Sequence, residues 1–148
     1  MPKADKLTMA VPSRLEYLDM VQELAERLAV LVGLDSEVKL DFGLAVREGA
    51  INAMKHAHGF DPLLPVRITF NVTDTELEVR VRDVGEGFDP ETTPDPTSPE
   101  NILRASGRGL LLIGSLVDSV EFVRHSKGME LILRRNLPRA EAAGGESS

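Results

Sequence analysis

The sequence predicts an α+β fold, a two-layer sandwich in which helices pack on one face of a mostly antiparallel mixed sheet. Three observations indicate this class. Two segments in the first half of the chain carry apolar side chains at helical spacing. Two later segments alternate apolar and polar residues on either side of a short turn, which is typical of an antiparallel hairpin. A third helical segment and a second pair of strands follow, so helices and strands form separate runs, as in α+β layers.

The composition predicts one compact domain over residues 1–138 and a disordered polar tail over residues 139–148. A net charge of −7, without any block of lysine and arginine, argues against nucleic-acid binding. No apolar run is long enough to span a membrane, and no signal-peptide pattern opens the chain. Cysteine is absent, which excludes disulfides and cysteine catalysis. We therefore expect a cytoplasmic protein whose partners are proteins or small ligands.

The first elements expected are a short edge strand at residues 7–11 and a helix that begins at Ser13. Ser13 and Glu16 have the spacing of a capping box, in which each side chain accepts a backbone N–H of the first turn. Apolar residues then recur at helical spacing as far as Val32. Gly33 is expected to end this helix, since glycine adopts the left-handed conformation at helix ends.

The remaining elements follow from the same two periodicities. A second helix, capped by Ser36, is expected to run to about His58. Residues 89–106 contain four prolines among polar residues, so we expect a long loop there. Four further strands are expected at residues 66–72, 76–82, 119–125 and 129–135, and the third helix is expected at residues 108–118.

The second helix carries a carboxylate and a carboxamide, Glu48 and Asn52, four residues apart and therefore on one face. That helix is apolar around most of its circumference, which predicts burial. Buried polar groups need partners, and Mg²⁺ and an activated hydroxyl are natural ones. The alternative is that Glu48 reaches solvent and Asn52 bonds a backbone group.

A second cluster, Asp-x-Gly-x-Gly, follows the second strand of the hairpin. Asp83 is in phase with the apolar residues of that strand, so its side chain is expected to point to the buried face. The exocyclic amine of adenine is a suitable hydrogen-bond donor to the Asp83 carboxylate. Gly85 and Gly87 would let the backbone approach the ring, because they carry no Cβ. The alternative is an ordinary turn that begins at Asp83.

A third cluster, Gly107-Arg108-Gly109, precedes the apolar start of the third helix at Leu110. Glycines at a helix start expose backbone N–H groups, and the helix dipole adds positive potential, so a phosphate can bind there. An ordinary loop-to-helix turn is the alternative. The G-x-x-x-x-G-K-[ST] phosphate loop is absent.

In this order the three clusters resemble the boxes of the GHKL superfamily, the Bergerat-fold ATPases, and most of all the bacterial anti-sigma-factor serine/threonine kinases and their switch-kinase relatives. The segment from Glu48 to Ala57 resembles their N box. Asp83 to Phe88 resembles the G1 box, and Ser106 to Ile113 the G2 box. The resemblance covers roughly residues 5–137.

The resemblance implies a role for each matching residue in the N box. Glu48 is implied to be the general base that takes the proton of a serine or threonine hydroxyl, and Asn52 to hold Mg²⁺ between the phosphates of ATP. His56 fits the family's habit of a basic or imidazole residue closing the N box. Its position on the helix, some way round from Glu48, favours a structural over a catalytic role.

In the other two boxes the resemblance implies contacts with the nucleotide. Asp83 is implied to read adenine, beside a wall shaped by glycines, and residues 89–106 to form an ATP lid. Arg108 could add charge near the phosphates or face solvent. The further nucleotide-binding residues implied by the two boxes are Gly85, Gly87, Phe88, Gly107, Gly109 and Leu110.

One position departs from the family's pattern. The last strand usually opens with Gly-Thr, and that hydroxyl supports the adenine-binding aspartate; here the pair is Gly128-Met129. Met129 is in phase with the apolar residues of its strand and offers no hydroxyl proton. Adenine recognition is therefore expected to depend on Asp83, and nucleotide specificity is less strongly implied.

The resemblance implies an ATP- and Mg²⁺-dependent kinase that binds a sigma factor, phosphorylates an anti-sigma-factor antagonist and forms a homodimer, with the first helix as dimer or partner surface. Only one helix precedes Glu48, and 148 residues leave no room for the helical hairpin of a histidine kinase or for the transducer domains of gyrase-type ATPases. A stand-alone kinase is thus expected. The alternative function is an ATP-gated module that sequesters a partner without phosphorylating it.

Overall fold

A computed structural model describes residues 4–85 and 113–138 of the chain. The described residues contain two full α-helices and five strands, a 3₁₀ turn before the first helix, a π-helical turn after the second, and a helical segment at residues 113–116. Their bounds are β1 Asp5–Val11, 3₁₀ turn Leu15–Tyr17, α1 Leu18–Leu31, α2 Ser36–Asn52, π turn Ala53–Ala57, β2 Val66–Val72, β3 Glu76–Arg82, β4 Ser119–Arg124 and β5 Met129–Asn136.

The strands form one sheet in the order β1-β2-β3-β5-β4, and every neighbouring pair is antiparallel. The hairpin of β2 and β3 is confirmed, with Val72 opposite Leu77 beside the turn. β5 lies between β3 and β4, so the second hairpin is added to the sheet through its last strand. α1 and α2 pack against each other and against one face of this sheet. The predicted α+β layer is therefore confirmed.

The core lies between the helix layer and the sheet. α1 contributes its side chains at helical spacing, Val21 and Leu28 among them, and α2 contributes Phe42 and Val46. The strands present alternate residues to the same core, because successive side chains of a strand point to opposite faces. The strand residues buried in this core are Val11, Val66, Ile68, Phe70, Leu77, Val79, Val81, Leu131 and Leu133.

Two predicted helix caps are wrong. Ser13 does not cap the first helix; its hydroxyl donates to the Leu64 carbonyl at 2.6 Å, and a 3₁₀ turn precedes α1. The second helix is capped by Asp35, whose carboxylate accepts the Val38 N–H at 2.9 Å, and not by Ser36. Asp and Ser are about equally good caps, so adjacent candidates are not separated by sequence alone.

The end of α1 follows the prediction. Gly33 has φ of +91°, and the Leu34 and Gly33 N–H groups donate to the Ala29 and Val30 carbonyls, each at 3.0 Å. This pair of bonds is a Schellman motif, which satisfies the last carbonyls of a helix.

Of the predicted third helix, residues 113–116 are helical, and residues 108–112 lie outside the described residues. The tail at 139–148 also lies outside them. Among the described residues, every helix is too short or too polar to cross a membrane.

The sheet face away from the helices carries a network of ion pairs around Glu78, of which only 8% is exposed. One of its carboxylate oxygens accepts hydrogen bonds from the Asn71 amide and from Nε of Arg80, each at 2.9 Å. The other oxygen accepts from Nε of Arg134 at 3.0 Å. Burial alone would raise the pKa of Glu78, but these hydrogen bonds outweigh it and hold the pKa below its usual range.

The folded-state pKa of Glu78 lies below its unfolded value, so the stability that this carboxylate contributes is present above the unfolded pKa. That stability is lost as the pH falls through the folded pKa. We expect Glu78→Gln to lower the free energy of unfolding by about 1–3 kcal/mol at neutral pH, because two guanidinium groups lose their shared carboxylate. The difference from the native chain should shrink as the pH falls below about 4, the ordinary pKa of glutamate, and should disappear below the lowered pKa of Glu78.

Urea titrations of both proteins at neutral and acidic pH measure this effect. Glu23→Gln, at an exposed position of α1, is the matched control and should change the free energy of unfolding little at either pH. A Glu78→Gln difference that is the same at both pH values would show that the carboxylate charge is not what stabilises this face.

Candidate nucleotide-binding site

The end of α2 changes from an α-helix to a π-helical turn. The turn, Ala53–Ala57, follows Asn52 without a break. The His58 N–H donates to the Ala53 carbonyl, five residues back, at 3.2 Å, which is the bond of this wider turn. Single π turns are rare and are frequent at functional sites. Because the turn is wider, the directions of the side chains after Asn52 do not follow from the α-helical period.

Gly49 lets the helix that carries Glu48 and Asn52 lie close to the sheet. A Cβ at Gly49 would be 2.8 Å from Cδ2 of Leu131 and 3.7 Å from Cγ2 of Val81. A Cβ at this distance would force the end of the Leu131 side chain to shift, so glycine favours this close approach. α2 is thereby held against β3, the strand that leads to Asp83.

Glu48 and Asn52 lie one turn apart on α2, and both are half-buried. The Asn52 Nδ2 is buried and has no hydrogen-bond partner among the residues that the structure describes. No hydrogen bond from a described residue reaches the Glu48 carboxylate. An unpaired buried amide costs free energy, which a ligand oxygen placed beside it would recover. In the described part of the structure, the Asn52 amide nitrogen therefore does not bond a backbone group, contrary to the alternative interpretation.

Asp83 lies just beyond β3, and its side chain is buried, with 8% of the residue exposed. This agrees with the strand phase. Its Oδ1 accepts two backbone N–H bonds, from Gly85 and from Met129, each at 3.1 Å. No described residue donates to the other oxygen, Oδ2. Among the described residues, the carboxylate is thus fixed through Oδ1 alone. Its Oδ2 can accept a hydrogen bond from a ligand.

Met129 supports Asp83 with its backbone instead of with the hydroxyl that usually follows the glycine. Besides its N–H bond to Oδ1, its carbonyl accepts the Asp83 N–H at 2.9 Å. Gly128 makes this approach possible: its φ is +87°, and a Cβ there would collide with the Asp83 carbonyl oxygen. The loss of the hydroxyl therefore leaves the aspartate with two backbone donors.

Gly85 joins the segment after β3 to the end of α2. A Cβ at Gly85 would be 2.7 Å from the carbonyl oxygen of Ala57 and 2.9 Å from its Cβ, so only glycine fits against the π turn. The structure therefore brings two sequence clusters together: the turn that follows Asn52 contacts the segment that carries Asp83.

Sequence reasoning missed two residues at this junction, Ser13 and His58. His58 is buried and contacts both Ser13 and the Val84 N–H, whereas His56, the histidine expected in the N box, is exposed. Ser13 and His58 are 45 residues apart in sequence. The only local signal was a histidine placed directly before a glycine at a helix end, which is too common to single it out.

The other candidates fall on residues that the structure does not describe. They are Gly87, Phe88, Gly107, Arg108, Gly109 and Leu110, and the lid over residues 89–106.

The described residues fit a magnesium–nucleotide complex better than a cation held by protein alone. They contain no group of three or more acidic or histidine side chains that could hold a metal ion. The carboxamide of Asn52 offers one oxygen ligand, and its amide nitrogen needs an acceptor. Mg²⁺ usually keeps several waters and binds through one or two protein ligands plus substrate phosphates. A single carboxamide beside a triphosphate fits this pattern.

Comparisons with known proteins bear on the fold and the family of this chain. A family model described as the histidine kinase-like ATPase domain matches residues 11–135. The serine-protein kinase RsbW of Listeria innocua is 28% identical over 137 residues, which covers 88% of this chain and 87% of the relative. The RsbW of Staphylococcus aureus is 32% identical over 131 residues, 84% of this chain and 82% of the relative.

A solved structure that holds the RsbU and RsbW domains of a Mycobacterium tuberculosis protein is similar in fold. Its TM-score is 0.65 at 16% sequence identity, over 91% of this chain. The chain spans 34% of that solved chain. At this identity the likeness supports the fold alone.

Proposed function

The chain belongs to the histidine kinase-like ATPase family, among its anti-sigma-factor serine/threonine kinases, and we propose that it transfers the γ-phosphate of ATP to an antagonist protein. A sigma factor is the second proposed partner, so that the chain acts in a partner-switching pathway. The relatives that carry the name serine-protein kinase RsbW support this proposal.

One observation carries the assignment of the site. The π turn after Asn52 and the segment of Asp83 are in direct contact through Ala57 and Gly85, so a single ligand can meet both. In the proposed complex the Asp83 Oδ2 accepts a hydrogen bond from the exocyclic amine of adenine, at one end of the nucleotide. Asn52 lies beside the phosphates at the other end.

The proposed reaction needs little covalent chemistry from the protein. The hydroxyl oxygen of the antagonist's serine or threonine bonds to the γ-phosphorus, and the bond from that phosphorus to the β–γ bridging oxygen breaks, releasing ADP. Glu48 accepts the hydroxyl proton. Mg²⁺, held by Asn52 and the phosphates, would neutralise the charge that gathers on the leaving oxygens. Positioning by α2 and the Asp83 segment is the chain's main contribution.

A second candidate function is an ATP-gated module that sequesters its partner without phosphorylating it. The observation that favours this function is Met129, because the usual threonine hydroxyl is absent. Incubation with γ-labelled ATP and each antagonist-domain protein of the same organism separates the two functions. We expect label on a serine or threonine of one antagonist. Binding to a partner that changes with ATP, without any labelled product, would instead support the second function.

We also propose that the chain forms a homodimer or binds its partner through the exposed side of α1. Met20, Val30 and Leu31 are 60%, 55% and 79% exposed there, which is unusual for large apolar side chains on one short helix.

Asn52→Ala should separate ligand binding from stability. We expect the affinity for ATP with Mg²⁺ to fall at least about tenfold, because a metal ligand and a phosphate donor are lost. Without nucleotide, the free energy of unfolding should stay within about 1 kcal/mol of the native value or rise, since the amide that is removed has no partner. Calorimetry with ATP and urea unfolding measure the two quantities.

Asn71→Ala is the matched control for Asn52→Ala. The Asn71 amide donates to Glu78 at 2.9 Å on the opposite face of the sheet. Its loss should destabilise the chain without changing ATP affinity. An Asn52→Ala protein that binds ATP as tightly as the native chain would remove Asn52 from the site.

A further inference from the structure

His58 is a buried histidine that the proposed mechanism does not use. It follows the π turn directly and is only 5% exposed. Both ring nitrogens have partners: Nδ1 is 3.0 Å from the Ser13 hydroxyl oxygen, and Nε2 is 2.9 Å from the Val84 backbone nitrogen. A buried imidazole that is bonded on both sides has a fixed position and a fixed orientation.

The partners also fix where the ring proton lies. A backbone N–H can only donate, so Nε2 must carry a lone pair to accept from Val84. The ring proton therefore lies on Nδ1 and is donated to the oxygen of Ser13. The Ser13 hydroxyl in turn donates to the Leu64 carbonyl at 2.6 Å. This chain of three hydrogen bonds, from Val84 through His58 and Ser13 to Leu64, requires the neutral, Nδ1-protonated form of the ring.

This chain of hydrogen bonds, the relay, ends at the peptide next to Asp83, the aspartate proposed to bind adenine. Val84 follows Asp83, and its N–H is the first that the sheet no longer pairs, since the last bond between this segment and β5 is from the Asp83 N–H to Met129. Gly85, the next residue, packs on Ala57 and donates to the Asp83 carboxylate. Where the segment leaves the sheet, it is therefore held by the hydrogen bond from Val84 to His58 and by the contact of Gly85 with the π turn.

We infer that His58 is a positioning residue for nucleotide binding: its Nε2 fixes the peptide between Asp83 and Val84, and thereby the direction of the Asp83 carboxylate. Ser13 acts through His58, because it holds the ring in the form that can accept. This inference rests on the proposed nucleotide site, since the benefit of the fixed carboxylate is realised only when adenine is bound.

Two substitutions separate positioning from packing. In His58→Gln the amide oxygen can take the place of Nε2 and accept the Val84 N–H, while in His58→Asn the amide NH₂ takes the place of Nδ1 and only the bond to Ser13 is kept. Both variants lose the ring; because Asn is one methylene shorter than Gln, urea unfolding of both variants is used to separate a loss of packing from a loss of ATP binding. We expect His58→Asn to bind ATP about five- to tenfold more weakly than His58→Gln, the value of one neutral hydrogen bond.

The ring itself provides the second readout. In ¹⁵N-labelled native protein without nucleotide, we expect the imidazole of His58 in the neutral Nδ1-protonated form, the less common tautomer of histidine. An Nε2-protonated or charged ring at neutral pH would overturn the relay. Equal ATP affinity of the two variants, in a chain whose native form binds ATP, would overturn the positioning role alone. A native chain that does not bind ATP would overturn both this inference and the proposed function.

Discussion

Glu48→Gln is expected to abolish most phosphoryl transfer while ATP still binds. A glutamine has the same shape but cannot accept the hydroxyl proton, and general-base catalysis contributes roughly 10²- to 10⁴-fold to such reactions. We therefore expect the single-turnover rate of transfer to the antagonist to fall by about that factor. The dissociation constant of ATP should stay within about twofold, because positioning by Asn52 and Asp83 is unchanged.

Glu37→Gln is the matched control, since Glu37 lies exposed in the first turn of the same helix. It should transfer phosphate at the native rate. Sequestration of the sigma factor should also survive in Glu48→Gln, because no contact with the sigma factor is proposed for this carboxylate. If Glu48→Gln retains a near-native rate, the general base is another group, and the proposed role of Glu48 is wrong.

Asp83→Asn is expected to have the second largest effect, on nucleotide recognition. The Asn oxygen can keep the two backbone donors, from Gly85 and Met129, that now bind Oδ1. Its NH₂ group then takes the place of Oδ2 and faces the exocyclic amine of adenine, so two donors meet. We expect ATP affinity to fall roughly 10- to 100-fold, as for the loss of a hydrogen bond to a charged group.

Preference for ATP over GTP should fall in the same variant, because guanine presents a carbonyl oxygen where adenine presents the amine. Asp74→Asn is the control: Asp74 is exposed in the turn between β2 and β3, at the far end of β3 from Asp83. Competition binding with the two nucleotides measures both effects. If the native chain binds ATP and GTP equally well, Asp83 does not read the base.

The hairpin shows what the sequence could predict. Alternation of apolar and polar residues on both sides of a short turn is a local signal, and it predicted the two strands and their pairing. The same alternation placed Asp83 on the buried face. The four-residue spacing placed Glu48 and Asn52 on one side of α2, because each inference needs only the period of its own element.

Ser13 shows where such reasoning fails. Its spacing to Glu16 fits a capping box, yet its hydroxyl bonds His58 and Leu64, which are 45 and 51 residues away in sequence. No local pattern reveals a partner at that distance. The π turn after Asn52 is a similar case, because a change in helix width leaves no mark on the apolar period. The support of Asp83 by the Met129 N–H was likewise hidden, since every residue but proline carries that donor.

We propose that the end of α2 and the segment after β3 form one nucleotide site. A crystal structure of the chain with a non-hydrolysable ATP analogue and Mg²⁺ tests it most directly. We predict that the adenine amine donates to the Asp83 Oδ2, that the Asn52 side-chain oxygen binds the metal, and that Glu48 lies beside the γ-phosphate. A nucleotide bound elsewhere, or bound here with neither Asp83 nor Asn52 in contact, would contradict this site.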